Sequence, residues 1–397
     1  MSIGPRKLSS AVPIISLLAL AMVTATYLPG ALSVLSVHVL EDLGISRTQL
    51  GLTFAAFSMT SAVTAPSIGG LADRSVRSIM IALFATGALG IVMASLAESY
   101  WMMMAAAVVS GLALGAGNPV TNRVVSLRIP HRSRGLAVGI KQSGPPLGLL
   151  VAGVTLGPLA AAVGWRPALA LTAVMPVAGL VVVRRLLPAR GGATEEGSET
   201  PMEPSEPGPT VLWLSVLSLG TALGLSAVTA FVPLYGHEVV GMSSSTAGLV
   251  AGAMGLTGVT ARIMWTALRK RLPGNFTTLL VISILSIVAA AALRSAEWLG
   301  GAGLWAGALL AGASMFAWHA VAWVLIIDTT HSTRVGRASG LMQVGTSIGF
   351  AGGPPLMGML IDADPSYATG WSATIALFVL VTVATAGTAS WRNPSPG

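Results

Sequence analysis

Four ionisable side chains fall inside long apolar stretches of this sequence: Arg123, Lys141, Arg262 and His319. A charge in the hydrocarbon of a bilayer costs roughly 2.5–3.5 kcal/mol on insertion scales unless something compensates it. All 14 acidic residues lie in loops or near the ends of the apolar stretches, Asp328 being the least obvious case. No membrane carboxylate is therefore at hand to neutralise the cations, and the missing counter-charge points to an anionic substrate. Lys141 sits in "GIKQSGPPLG", seven residues past Arg134 and so about 10 Å along a helix from the membrane edge. Snorkelling of its ammonium towards water is the competing reading. Prolines there free backbone carbonyls, which usually line a cavity, and glycines let helices approach closely. Gln142 adds hydrogen-bonding groups beside it.

Arg262 offers a planar fork that pairs both oxygens of a carboxylate, or else caps a backbone carbonyl. Asn118 and Asn122 are four residues apart and share a helix face, with Arg123 rotated about 100° away. His319 is the one histidine well inside an apolar stretch, and imidazole titrates near neutral pH. It could handle a proton or simply pack. Tyr27, Trp318 and Trp323 could line a cavity, although aromatic side chains in helices more often pack. The candidate substrate contacts are thus Lys141, Arg262, Gln142, Gln343, Asn118, Asn122, Arg123, His319 and Tyr27.

The elements that must position these residues are membrane helices. The 397 residues are 53% hydrophobic and 9% charged, against about 25% charged in soluble domains. Twelve apolar stretches long enough to span a bilayer lie near 11–36, 48–70, 78–97, 101–126, 136–161 and 167–184, then 210–234, 245–267, 276–293, 299–327, 337–361 and 370–390. Between the sixth and seventh runs "ARGGATEEGSETPMEPSEPGPT", a polar segment that reads as a flexible linker. The expected organisation is a six-helix bundle over 1–184, a linker over 185–209 and a second bundle over 210–397. On one side the loops hold only Arg47, Arg166 and Arg294; nearly all other basic residues are on the side of the termini. By the positive-inside rule the termini and the linker are cytoplasmic and the protein sits in a cell membrane.

The two halves repeat each other. "GISRTQLGL" from Gly44 returns as "GMSSSTAGL" from Gly241. Gly135, Gly139, Gln142, Gly144, Gly148 and Gly157 match Gly336, Gly340, Gln343, Gly345, Gly349 and Gly358 at one constant offset. Related halves around a midplane site are the arrangement secondary transporters use for alternating access.

"GGLADRSVRS" from Gly69 follows the second span. With twelve spans and a duplicated half, it makes the chain resemble the major facilitator superfamily over essentially its whole length. That family's first cytoplasmic loop reads G-x-x-x-D-[RK]-x-G-[RK]-[RK]. Gly69, Asp73, Arg74 and Arg77 match it; Val76 and Ser78 depart from it. The resemblance implies an all-α, twelve-helix fold of two pseudo-symmetric bundles. It also implies that the Asp73 loop is a conformational latch joining the halves in the outward-facing state. Gly144, Pro145 and Gly148 resemble the fifth-helix element of the family's antiporters. Arg262 stands where its oxalate:formate and monocarboxylate porters hold a carboxylate.

No phosphate-binding loop, metal-ligand spacing or nucleophile–base pair is present, which argues against an enzyme and gives no sign of a cofactor or metal. Nucleic acid is not an expected partner, since no basic stripe with interleaved aromatics exists. The expectation is a monomeric secondary transporter of a small organic anion, working by proton symport or anion exchange, with Lys141 and Arg262 binding the anion from opposite halves. Efflux of drug-like or lipophilic compounds is the alternative within transport. A non-transporting membrane sensor is the alternative from another class.

Overall fold

The computed structural model describes residues 12–129, 134–187, 209–272, 276–329 and 335–392. Among these the regular structure is helical throughout: α1 Val12–Val34, α2 Ser36–Leu43, α3 Arg47–Arg74, α4 Val76–Ser95, α5 Tyr100–Arg128, α6 Arg134–Gln142, α7 Gly144–Val163, α8 Trp165–Leu171 and α9 Val174–Leu186 form the first half. The second half contains α10 Pro209–Glu238, α11 Ser244–Leu268, α12 Thr277–Leu299, α13 Gly301–Thr329, α14 Val335–Ala363 and α15 Ala368–Arg392. Most of the expected linker, residues 188–208, lies outside the described residues.

The fifteen helices make twelve spans because three are interrupted, the first at Leu35 between α1 and α2. The fifth is α6 and α7 together, interrupted at Ser143 before Gly144-Pro145-Pro146; the sixth is α8 and α9, interrupted at Thr172 and Ala173. Proline cannot donate an N–H, so a helix loses a rung wherever one enters its interior. Eleven of the spans are strongly apolar; α3 is long enough but more polar. The two turns of the short repeat are built alike, with Gly44 and Gly241 both left-handed at φ 59° and 75°, a conformation that costs glycine nothing.

The two halves meet through α3 against α14, α7 against α11, and α1 against α10. The first two pairs are related by the internal repeat, so the interface is itself pseudo-symmetric. We call the side where α1 begins and α15 ends the terminal side, and the opposite one the far side. Towards the far side the halves touch at backbone distance. A methyl on Gly51 would stand 2.5 Å from the carbonyl oxygen of Pro354, and one on Gly255 would stand 2.5 Å from that of Pro146. Gly157 against Ser245 and Gly248 against Val34 continue the seam. Nearer the terminal side, methyls on Gly69, Gly70, Gly139 or Gly340 would meet nothing within 4 Å among the described residues. Among the described residues, the glycine contacts at backbone distance between the halves lie towards the far side and the midplane.

Each of the three far-side arginines is paired with a carboxylate: Arg47 with Glu238, Arg166 with Asp42, Arg294 with Glu297. The excess of basic charge is confined to the terminal side.

Candidate functional site

Lys141 is in the last turn of α6, and it is 0% exposed. Its ammonium donates to Thr121 Oγ1 at 2.9 Å and to Asn118 Oδ1 at 3.2 Å, both on α5. Thr121 can accept because its own hydroxyl proton goes to the carbonyl of Gly117, one turn back. Asn118 Oδ1 also accepts from Gln142 Nε2 at 3.2 Å. The buried cation is thus held by neutral oxygens, which offset part of its desolvation without cancelling its charge.

Gln142 is bonded a second time, through its backbone. In a regular helix its carbonyl would accept from the N–H of residue 146, but that residue is Pro146. Ser143 N–H bonds back to Ile140, and the Gln142 carbonyl accepts instead from Arg262 Nη1 on α11. Arg262 Nε donates to the Phe316 carbonyl on α13 at 3.1 Å, and the guanidinium lies 5.9 Å from the Phe316 ring centroid. One guanidinium therefore ties α6 of the first half to α11 and α13 of the second. From Arg262 the hydrogen-bonded line runs through Gln142 and Asn118 to Lys141 and Thr121.

The other expected site residues are placed as follows. His319, three residues beyond Phe316, is buried between Trp318 and Phe350, with ring centroids 5.4 and 6.1 Å away. Neither ring nitrogen has a hydrogen-bond partner among the described residues. Asn122 is exposed, one turn beyond Asn118, and does not join the Lys141 cluster. Arg123 is half-buried. Gln343 is exposed and bonds Ser347 of its own helix at 3.2 Å, so the repeat-related glutamines do not meet. Tyr27 and Trp318 are each 1% exposed core side chains, and neither lines an open cavity. In the loop motif, Gly69 and Arg77 are half-buried; the side chains of Asp73 and Arg74 lie outside the described residues.

Thr121, the Phe316 carbonyl and the backbone role of Gln142 were not on the list drawn from sequence. Only the last had a signal there: a proline four residues on frees a carbonyl, though it does not say what will take it.

A sequence profile described as the Major Facilitator Superfamily matches residues 14–354. The chain belongs to this superfamily. As a facilitator it is a multi-pass membrane transporter and not an enzyme. Over 111 residues it is 36% identical to "Multidrug resistance protein MdtG" of Yersinia enterocolitica, covering 26% of each chain. Over 95 residues it is 37% identical to the protein of that name from Erwinia billingiae, covering 24% of this chain and 23% of that one. The match thus spans about a quarter of these relatives' length. Among solved structures, a bacterial homolog of the human lysosomal transporter Spinster, in an inward-facing and occupied conformation, superposes with a TM-score of 0.74 at 16% identity, covering 100% of both chains. A mutant form of the nucleoside transporter NupG gives 0.76 at 13% identity, covering 94% of this chain and 99% of that one. Both likenesses concern the fold of the facilitator.

Proposed function

We propose that this facilitator exports uncharged, drug-like compounds by alternating access, with its terminal side in the cytoplasm of a bacterial inner membrane. The basic loops support that orientation. The halves, 1–184 and 210–397, rock about the far-side and midplane contacts, joined by the linker 185–209. The closed far side and separated terminal side correspond to an inward-facing state, and the Asp73 loop is the latch of the opposite state.

The satisfaction of Lys141 and Arg262 carries the choice of substrate class. The ammonium is enclosed by Asn118 and Thr121, and the guanidinium holds two backbone carbonyls. Lys141 reaches only neutral oxygens, and Arg262 already spends Nε and Nη1 on backbone carbonyls. The relatives called multidrug resistance proteins favour the same reading. Cells producing the protein are expected to accumulate a neutral lipophilic fluorophore more slowly than cells producing a Gly255→Val variant. Equal accumulation, together with saturable uptake of a small carboxylate, overturns the proposal.

Transport of a small organic anion is the second reading, carried by one observation: Lys141 is buried with no carboxylate among its partners. A substrate that displaces Asn118 would supply the missing charge. A coupled proton, in either reading, would fall to His319 or to the substrate.

A further inference from the structure

The far side carries a contact that the reading above leaves unassigned. Helix α3 begins at Arg47, and a helix start presents four backbone N–H groups without helical partners. Two are met locally by a capping box: Gln49 N–H donates to Ser46 Oγ at 3.1 Å, and Ser46 N–H to Gln49 Oε1 at 2.9 Å. The other two are met from the other half of the protein. Asp362, at the far-side end of α14, accepts from Arg47 N–H at 3.1 Å and from Thr48 N–H at 2.9 Å, and takes the Thr48 hydroxyl at 2.6 Å. A carboxylate at this position also faces the positive end of the helix dipole.

Beside this cap, Arg47 pairs with Glu238 at the end of α10, through Nη2 at 2.7 Å and Nε at 3.2 Å. Glu238 also accepts from Tyr367 Oη at 2.5 Å. The Asp362 bonds and the Arg47–Glu238 pair all cross between the halves, whereas the capping box and the Tyr367 contact do not. The internal repeat gives the cluster its sense. Glu41 occupies in the first half the place of Glu238 in the second, three residues before the left-handed glycine. The second-half counterpart of Arg47 is Ser244, and the counterpart of Asp362 is Ala161. The duplication has kept both glutamates but built the arginine and the capping aspartate once.

We infer that Asp362 is a positioning residue of the transport cycle: it caps α3 from the opposite half and, with Arg47–Glu238, locks the far side shut. Opening that side leaves Arg47 and Thr48 N–H without partners and separates a bidentate ion pair. The lock therefore biases the resting protein towards the state closed on the far side, and substrate binding must offset it. This rests on the alternating-access reading.

The chain has no cysteine, so two introduced cysteines report without background. Glu98→Cys and Leu299→Cys lie on exposed far-side positions of opposite halves, away from the lock. Spin labels on that pair, in reconstituted protein, are expected to give mainly a short distance. Asp362→Ala should raise the ratio of long to short distances about tenfold, with Asp362→Glu recovering part of the short population. Arg47→Glu should also lengthen it, and Arg47→Glu with Glu238→Arg should restore it; this second arm decides the matter if Asp362→Ala does not fold. An unchanged distribution in Asp362→Ala and Arg47→Glu overturns the lock. A failure of alternating access itself is distinguishable, because the parent protein would then show one distance under every ligand and salt condition tried.

Discussion

Arg262 Nη1 donates to the backbone carbonyl of Gln142, an acceptor that is free because Pro146 has no N–H to give it. A break in one helix is thereby turned into a contact between halves. Removing the guanidinium leaves the part-buried Gln142 carbonyl without a donor and takes a second donor from the Phe316 carbonyl, which lies mid-helix in α13. Arg262→Ala is expected to lower stability by about 1–3 kcal/mol, read as the thermal midpoint of the purified protein. Arg262→Lys should recover less than half of the loss, since an ammonium cannot address both carbonyls with a fixed planar fork.

Lys141 invites a sharper comparison. Replacing a buried charge by an apolar side chain of similar volume is often neutral or stabilising. Here the partners are not abandoned, because Asn118 still accepts from Gln142 and Thr121 still donates to Gly117. Lys141→Met should stay within about 1 kcal/mol of the parent, whereas Lys141→Ala should lose about 2–4 kcal/mol through the cavity it opens. Thermal unfolding of the three proteins side by side makes the test.

The seam between halves is tight enough to be blocked. A Cβ at Gly255 meets the Pro146 carbonyl oxygen at 2.5 Å and Leu150 N at 2.6 Å, both backbone atoms that cannot rotate away. Gly255→Val should reduce transport at least about tenfold by preventing α7 and α11 from closing. Gly139→Ala, which meets nothing nearby, should change stability by no more than about 0.5 kcal/mol. Export rate and detergent-solubilised yield, measured together, separate a blocked seam from a misfolded chain.

The sequence made the scaffold legible because periodic features announce it. Apolar stretches announce the spans, and a constant offset of glycines announces the repeat. Lys141, Gln142 and Asn118 were each legible as polar residues in membrane helices, which must find partners, but it is the structure that brings Asn118 to the other two. Asn122 and Gln343 stand apart from that cluster: helical spacing and repeat symmetry say which residues could share a face, not which way that face turns. The Asp362 cap was invisible, and the proline that frees the Gln142 carbonyl did not reveal Arg262 as its partner, because each contact uses backbone atoms, which every residue carries. Glu238 had a signal, its repeat mate Glu41, that becomes informative only once Arg47 is seen beside one of them and not the other.

Outside the spans, Asp364 offers a pH test. Hydrogen bonds from the Ser366 and Thr369 hydroxyls and the Thr369 N–H hold its carboxyl well below the usual carboxylate range. A depressed value means the folded state prefers the charged form, so the contribution is complete above the unfolded value of about 3.9 and is lost as pH falls below it. The gap in thermal midpoint between the parent and Asp364→Asn should be constant from about pH 5 to 8 and shrink below about pH 4. A gap that widens on acidification would contradict the assignment.

The central claim is that Lys141 and Arg262 are engaged by partners within the protein and that the site takes uncharged compounds. It is tested most directly by ligand-induced thermal stabilisation of the purified protein against neutral lipophilic compounds, small carboxylates and cationic drugs, repeated with Lys141→Met. The account predicts stabilisation by neutral compounds that persists in Lys141→Met. Stabilisation by carboxylates alone, abolished in that variant, would contradict it and return Lys141 to the role of anion ligand.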